Sequence, residues 1–168
     1  MATVTLRGSL SHTTGDLPEN GTLVPDARLT RRDLTGVRLS DYRGRKVLLN
    51  VFPSIDTSTC ARSVREFNEK AAGIEGAVVL CISRDLPFAQ SRFCGAEGID
   101  KVEMLSDFKD GNFGKALGLE FADGPFEALH SRAVVVLDTH GRVVYSEQVP
   151  DISNEPDYQN ALKALEHA

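Results

Sequence analysis

The sequence predicts an α/β protein built on a mixed β-sheet with helices on both faces, and three observations carry that prediction. Two unbroken apolar runs, KVLLNVF (46–52) and AVVLCIS (77–83), have strand length and no polar alternation, the pattern of parallel strands covered on both sides. A helical periodicity lies between them, which makes a β-α-β crossover. Further on, SRAVVVLDTHGRVVYSEQ (131–148) places two β-rich runs around the turn DTHG, the signature of a hairpin. With 168 residues, 41% of them hydrophobic, the chain is long enough to bury one substantial core, and a single domain over 1–168 is expected.

Near the N-terminus Val4, Leu6 and Gly8 alternate with polar partners, which predicts a short β-hairpin or edge ribbon; the turn-rich GDLPENGTLVPDA follows it. After the strand at 46–52, a helix is expected from Cys60, because Val64, Phe67 and Ala71 fall on one face while Arg62, Arg65, Glu66 and Glu69 lie mainly on the other. Gly73 would end it. The segment 87–98 has a proline suited to a first helical turn and glycines suited to a terminus, and VEML behind it reads as a strand. That is a second crossover. GNFGKALGL is a short helix weakened by glycine, and PDYQNALKALEHA closes the order as a helix with Pro156 in its first turn and Tyr158, Ala161, Leu162 and Leu165 on one face. No internal repeat or low-complexity segment interrupts this order.

The formal charge of −5 leaves no broad basic field for a phosphate backbone, so nucleic acid is not an expected partner. MATVTLRGSLSH lacks the basic-then-apolar pattern of a secretory signal, and no run approaches the roughly 18 apolar residues of a membrane span. The expectation is a cytoplasmic protein without membrane partners. In a reducing compartment cysteines are more often reactive, metal-bound or buried than paired permanently, so each of the three needs its own account.

Cys60 stands in PSIDTSTCARSVREF (53–67), just after strand and turn and in the first turn of a helix. Unpaired backbone N–H groups and the positive end of the helix dipole meet there, and both favour a thiolate, the form that reacts. Thr57 is placed for its hydroxyl to reach either the sulfur or a helix N–H, with Ser58 and Thr59 as further caps, and Pro53 stiffens the turn. The competing reading is a small apolar residue within ordinary capping. No second cysteine lies two or three residues away, which disfavours C-x-x-C dithiol exchange. His12, His130, His140 and His167 show no zinc spacing and read as surface groups, so no metal site is expected. A Cys–His hydrolase with His130 as base stays open as a weaker alternative. Cys94, in SRFCGAEG, is either an accessible thiol or a helix residue buried beside Phe93, whereas Cys81, inside VVLCIS, reads as core. Arg132, at a strand start, reads by itself as a surface charge.

Taken together, NVFPSIDTSTCA, VVLCISRDLPFAQSRFCGAEG, ADGPF, SRAVVVLD and EPDY resemble, in order and over nearly the whole chain, the bacterial thiol peroxidases. These are atypical two-cysteine peroxiredoxins with a thioredoxin-like fold. The P-x-x-x-T-x-x-C pattern joined to F-C-G-A-E-G and a later arginine before a strand makes the resemblance specific. It implies that Cys60 is the peroxidatic cysteine and Cys94 the resolving one, joined in a redox disulfide, with Thr57 and Arg132 as further active-site groups and Pro53 shaping the substrate pocket. It also implies a homodimer, thioredoxin as reductant, hydrogen peroxide and alkyl hydroperoxides as substrates, and a cycle without metal, flavin or haem. Ser58 and Thr59 make a more polar approach than the family usually carries.

A low thiol pKa cannot by itself supply such a rate. Moving a thiol from ~8.5 to ~6 raises its thiolate fraction at pH 7 roughly 30-fold. Nucleophilicity falls at the same time by roughly ten- to twentyfold if the slope for thiol exchange carries over. Alignment of the O–O bond and stabilisation of charge on the leaving oxygen must supply the rest, and these are the roles expected of Arg132, Thr57 and the helix N–H groups. Two other classes remain at this point: a redox sensor or thiol-dependent chaperone switched by Cys60, and a one-cysteine peroxidase with Cys94 as bystander.

Overall fold

The computed structural model describes residues 1–71 and 73–168. An N-terminal hairpin pairs β1 (Thr3–Leu6) with β2 (Ser9–His12), turning through Arg7 and Gly8. Both turn residues have positive φ, 49° and 85°, as a two-residue hairpin turn requires. Next come β3 (Arg28–Arg31), β4 (Gly36–Arg38), β5 (Lys46–Val51), α1 (Ser58–Lys70), β6 (Ala77–Ser83), α2 (Pro87–Glu97) and β7 (Glu103–Ser106). The short α3 (Asn112–Ala116), β8 (Ala133–Leu137), β9 (Val143–Gln148) and α4 (Tyr158–His167) complete the order.

Seven strands form one mixed sheet in the order β4-β3-β7-β6-β5-β8-β9. The central β7, β6 and β5 are parallel, and β3 and β8 join them antiparallel. Side chains of β5 divide between the two faces at every residue, as a pleated strand demands. Val47, Leu49 and Val51 enter the core that Leu39, Tyr42, Phe113 and Leu117 cover, so α3 lies on that side. Leu48 and Phe52 enter the opposite core, covered by Val64 and Phe67 of α1, Cys94 of α2, and Ala161 and Leu165 of α4. Asn50, on that second face, is buried and donates to Ser63 Oγ of α1 at 3.2 Å.

The expected mixed sheet, its helices on both faces and the N-terminal hairpin are therefore present. Three details differ. Residues 28–38 form β3 and β4, for which the sequence pattern supplies no signal: three or four residues flanked by arginines, joined by a turn without Asn-Gly or Asp-Gly chemistry. Short charged strands of this kind suit the margin of a sheet, where long apolar ones invite association; here β4 is the edge and β3 the strand next to it. Pro156 lies outside α4, because the Asp157 side chain caps Asn160 N–H at 3.0 Å and fixes the start at Tyr158. Finally, α1 begins at Ser58, two residues ahead of Cys60, and after Lys70 tightens into a 3-10 turn over Ala71–Gly73, so that Gly73 is the last helical residue as expected. Among the described residues no helix is long and apolar enough to cross a membrane.

Candidate active site

The turn after β5 delivers Cys60 into the first turn of α1. Thr57 is the N-cap, extended at φ −90° and ψ 144°, and its Oγ1 accepts the Cys60 N–H at 3.3 Å while donating to the Ser54 carbonyl at 3.1 Å. Of the two roles open to the Thr57 hydroxyl, the structure uses the helix cap. Cys60 is fully buried, in contact with the apolar core behind it. Buried just before the start of β8, Arg132 brings its guanidinium to the sulfur: Nη2 donates to Cys60 Sγ at 3.2 Å. Nε and Nη2 also donate to the Ile152 carbonyl, at 3.1 Å and 2.8 Å. Arg132 is only 1% exposed, so the reading of a surface charge is wrong; a buried cation demands partners of this kind. Its Nη1 has no hydrogen-bond partner among the described residues.

A cavity of about 290 Å³ opens above these groups. Pro53, Thr57, Ser58, Thr59 and Arg132, the groups next to Cys60 in the chain or in contact with its sulfur, line it together with Leu6, Arg7, Phe126, Ile152 and Ser153, while Cys60 itself stays buried behind them. The N-terminal hairpin thus contributes to the site through its tip. It also fixes the segment that engages Arg132: Thr5 N–H donates to the Pro150 carbonyl at 2.8 Å, and Ile152 N–H donates to the Thr5 carbonyl at 2.9 Å. The cavity combines an apolar wall with one unsatisfied cationic N–H beside a cysteine, an arrangement that accepts a small polar group on an apolar body.

Cys94 lies in the last turns of α2, 3% exposed, and its carbonyl accepts Ile99 N–H at 3.0 Å. Of its two readings the structure takes the buried one. Burial pushes its thiol up, with Arg32 opposing that shift. Cys81 is core as expected, and burial pushes its thiol up to about 12. All three cysteines are free thiols.

The redoxin family model matches residues 19–162. This chain belongs to the redoxin family. Within it, thiol peroxidases of Mycobacterium bovis and Mycobacterium tuberculosis are 52% identical over 165 residues, covering 98% of this chain and 99% of theirs. A peroxiredoxin-like protein from Aquifex aeolicus superposes with a TM-score of 0.94 at 32% identity, covering 99% of this chain and 97% of its own. A thiol peroxidase from Chromobacterium violaceum, 20% identical and with a TM-score of 0.86, covers 98% and 95% and shares the fold. This redoxin is accordingly a peroxiredoxin enzyme of the thiol peroxidase kind, with the thioredoxin-like fold of that family.

Placement of the histidines corrects one expectation. His130 is completely buried, and its Nε2 donates to Asp107 Oδ2 at 2.8 Å. Asp107 also accepts Phe113 N–H at 3.2 Å and Gly114 N–H at 3.0 Å, so it caps α3 and ties it to the segment before β8. Held by that partner through Nε2, with its buried Nδ1 unpartnered among the described residues, and turned toward α3, His130 is a structural group, two residues from Arg132. His140 and His167 are exposed as expected, and His12 is half-buried with its Nδ1 2.7 Å from Asp123 Oδ2. Sequence reasoning passed over the Ile152 carbonyl, the Leu6–Arg7 tip and Asp85. A backbone acceptor has no sequence signal at all, and the hairpin tip reaches the redoxin site only through tertiary pairing.

Proposed function

We propose that this redoxin, as one domain over 1–168, reduces hydrogen peroxide and organic hydroperoxides to water and alcohols through Cys60, with Cys94 as resolving thiol and thioredoxin as reductant. The reading rests on one observation above others: Arg132, which lines the cavity, touches Cys60 Sγ with one N–H at 3.2 Å while a second guanidinium nitrogen lacks a partner. A hydroperoxide entering along Leu6, Phe126 and Ile152 meets that free N–H with its peroxide oxygens. The Cys60 thiolate attacks the distal oxygen, the O–O bond breaks, and the alkoxide leaves with a proton as alcohol, or as water from hydrogen peroxide. Arg132 stabilises the charge as it moves from sulfur to the departing oxygen, and Thr57 holds the helix N-terminus that presents the sulfur.

Cys60 is then a sulfenic acid. Condensation with the Cys94 thiol forms the S–S bond and releases water, and an external dithiol restores both thiols by exchange. Two-electron chemistry of this kind closes without metal, flavin or haem. Relatives named thiol peroxidase support the peroxide substrate. We assign the protein to the cytoplasm, as a homodimer. The test is one equivalent of hydroperoxide added to the reduced protein, followed by alkylation and non-reducing peptide mass mapping. A Cys60–Cys94 bridge within one chain, with Cys81 still reduced, is the expected result; Cys60 left unoxidised, or Cys94 left free after Cys60 oxidation, would overturn the two-cysteine cycle.

A further inference from the structure

Asp85 takes no part in the chemistry above, yet its half-buried carboxylate accepts three hydrogen bonds at the edge of the site. Oδ1 accepts Ser54 Oγ at 2.7 Å, and Oδ2 accepts Ile55 N–H at 2.7 Å and Ser83 Oγ at 2.6 Å. Ser54 and Ile55 belong to the turn that leads to Cys60. From Ser54 the connection continues, because its carbonyl accepts the Thr57 N–H and the Thr57 hydroxyl, each at 3.1 Å, and Thr57 caps Cys60 N–H. At the other end, Asp85 stands two residues before Pro87, the first residue of the helix that carries Cys94, and its own carbonyl accepts Ser106 Oγ of β7. One carboxylate therefore fastens the Cys60 turn to the foot of the Cys94 helix and to the ends of β6 and β7.

We propose that Asp85 is a positioning residue: a latch that holds the Cys60 turn in its peroxide-reactive form and releases it before Cys94 meets the oxidised sulfur. The inference rests on the two-cysteine cycle above. A disulfide needs Cα atoms about 4.4 to 6.8 Å apart, which two buried thiols on separate helices reach only by local rearrangement. Charge-assisted bonds are roughly twice as strong as neutral ones, so the Asp85 carboxylate is the firmest tie across the gap that must change. Its strength divides the sulfenic acid between two fates. Condensation with Cys94 releases water and needs the turn loosened; reaction with a second hydroperoxide, which yields a sulfinic acid and an alcohol, needs the turn still seated beside Arg132. A weaker latch slows the first oxidation and protects against the second.

The test compares full-length Asp85→Ala, Asp85→Asn and Ser54→Ala with the parent. The readouts are the rate of Cys60 oxidation by hydrogen peroxide and the peroxide concentration at which half of Cys60 is sulfinic by mass spectrometry. Asp85→Ala is expected to slow oxidation about tenfold and to raise the half-sulfinic concentration severalfold. Asp85→Asn, which keeps an acceptor for Ile55 but not the charge, and Ser54→Ala, which cuts one tie, should move both readouts the same way by less. These two also carry the test if Asp85→Ala does not fold. Slower oxidation with unchanged or lowered resistance to sulfinic acid is what a merely structural residue would produce, and would overturn the latch. If the parent forms no Cys60–Cys94 bridge, the cycle itself fails and the latch with it.

Discussion

Arg132 shows how a single buried cation is tolerated when its donors are paired. Desolvating a guanidinium is costly unless its donors are paired, and here the Ile152 carbonyl takes two of them and Cys60 a third. The fork geometry is what lets one side chain serve both, so lysine, a point charge on a flexible stem, is no equivalent. Arg132→Lys is expected to lower the rate constant for Cys60 oxidation by about 10²- to 10³-fold, the loss typical of one missing transition-state donor. Alkylation of Cys60 by iodoacetamide, which has no O–O bond to align, should fall far less; equal losses in the two reactions would contradict this role. Cys81 behaves in the opposite way. Burial holds its thiol neutral up to about 12 against an ordinary 9.0, so an unfolded chain gives up that proton first as pH rises. The associated stability is intact below pH 9.0 and is lost as pH climbs toward about 12. Cys94, Tyr42 and Tyr158, also raised by burial, add to the same alkaline loss. Urea unfolding between pH 8 and 10.5 should therefore show a shallower decline in Cys81→Ala, by up to about 1.4 kcal/mol per pH unit.

At the scale of elements, two polar side chains fix where helices begin. Thr57 caps α1, and Thr57→Val should cost about 1 kcal/mol of stability where Thr57→Ser costs little, as thermal unfolding will report. Asp107 holds His130 and the N–H groups of Phe113 and Gly114. Asp107→Ala leaves three buried donors unpaired, and a loss of about 3 kcal/mol or more is expected, against under ~0.5 kcal/mol for the exposed Asp110→Ala. The contrast between these elements explains what was legible beforehand. β5, β6 and β8 announce themselves because both their faces are covered, so all but Lys46, Asn50 and Ser83 of their residues are apolar. The edge strand β4 and its neighbour β3 have one residue in two or three facing the core, too few to show a period. Likewise Cys60, Thr57 and Pro53 stand within eight residues and share one turn, which local reasoning resolves. Arg132, 72 residues beyond Cys60, reaches the sulfur only through the pairing of β8 with β5, Ala133 against Val51. Its place was legible from a family resemblance and not from its own neighbourhood. His130 misled for the same reason: a polar residue beside turn residues reads as exposed until its partner Asp107, 23 positions earlier, is known.

Across the whole molecule the same sheet that assembles the site limits how it can move. Its central strands are buried on both faces and hydrogen-bonded on both edges, so loosening them exposes apolar surface from two cores at once. The ends of helices are cheaper. The first turn of α1 depends on Thr57, Ser54 and Asp85, and the last turn of α2 ends at Gly98, already left-handed at φ 65° and ψ 36°. Local opening draws on such low-stability ends while the rest stays folded. Oxidation that joins Cys60 to Cys94 should therefore speed hydrogen exchange at amides 57–62 and 94–99, with strands β5 to β8 unchanged in the same sample. The hairpin sharpens this expectation, because it holds Ile152 through Thr5 and so keeps the carbonyl that supports Arg132 in place while the cysteine turn moves away. Arg132 would then wait, preformed, for the reduced sulfur to return. Protection at Ile152 N–H that persists through reduction and oxidation would support that division of labour; its loss together with the α1 amides would mean that the site is dismantled and rebuilt as one unit in every cycle.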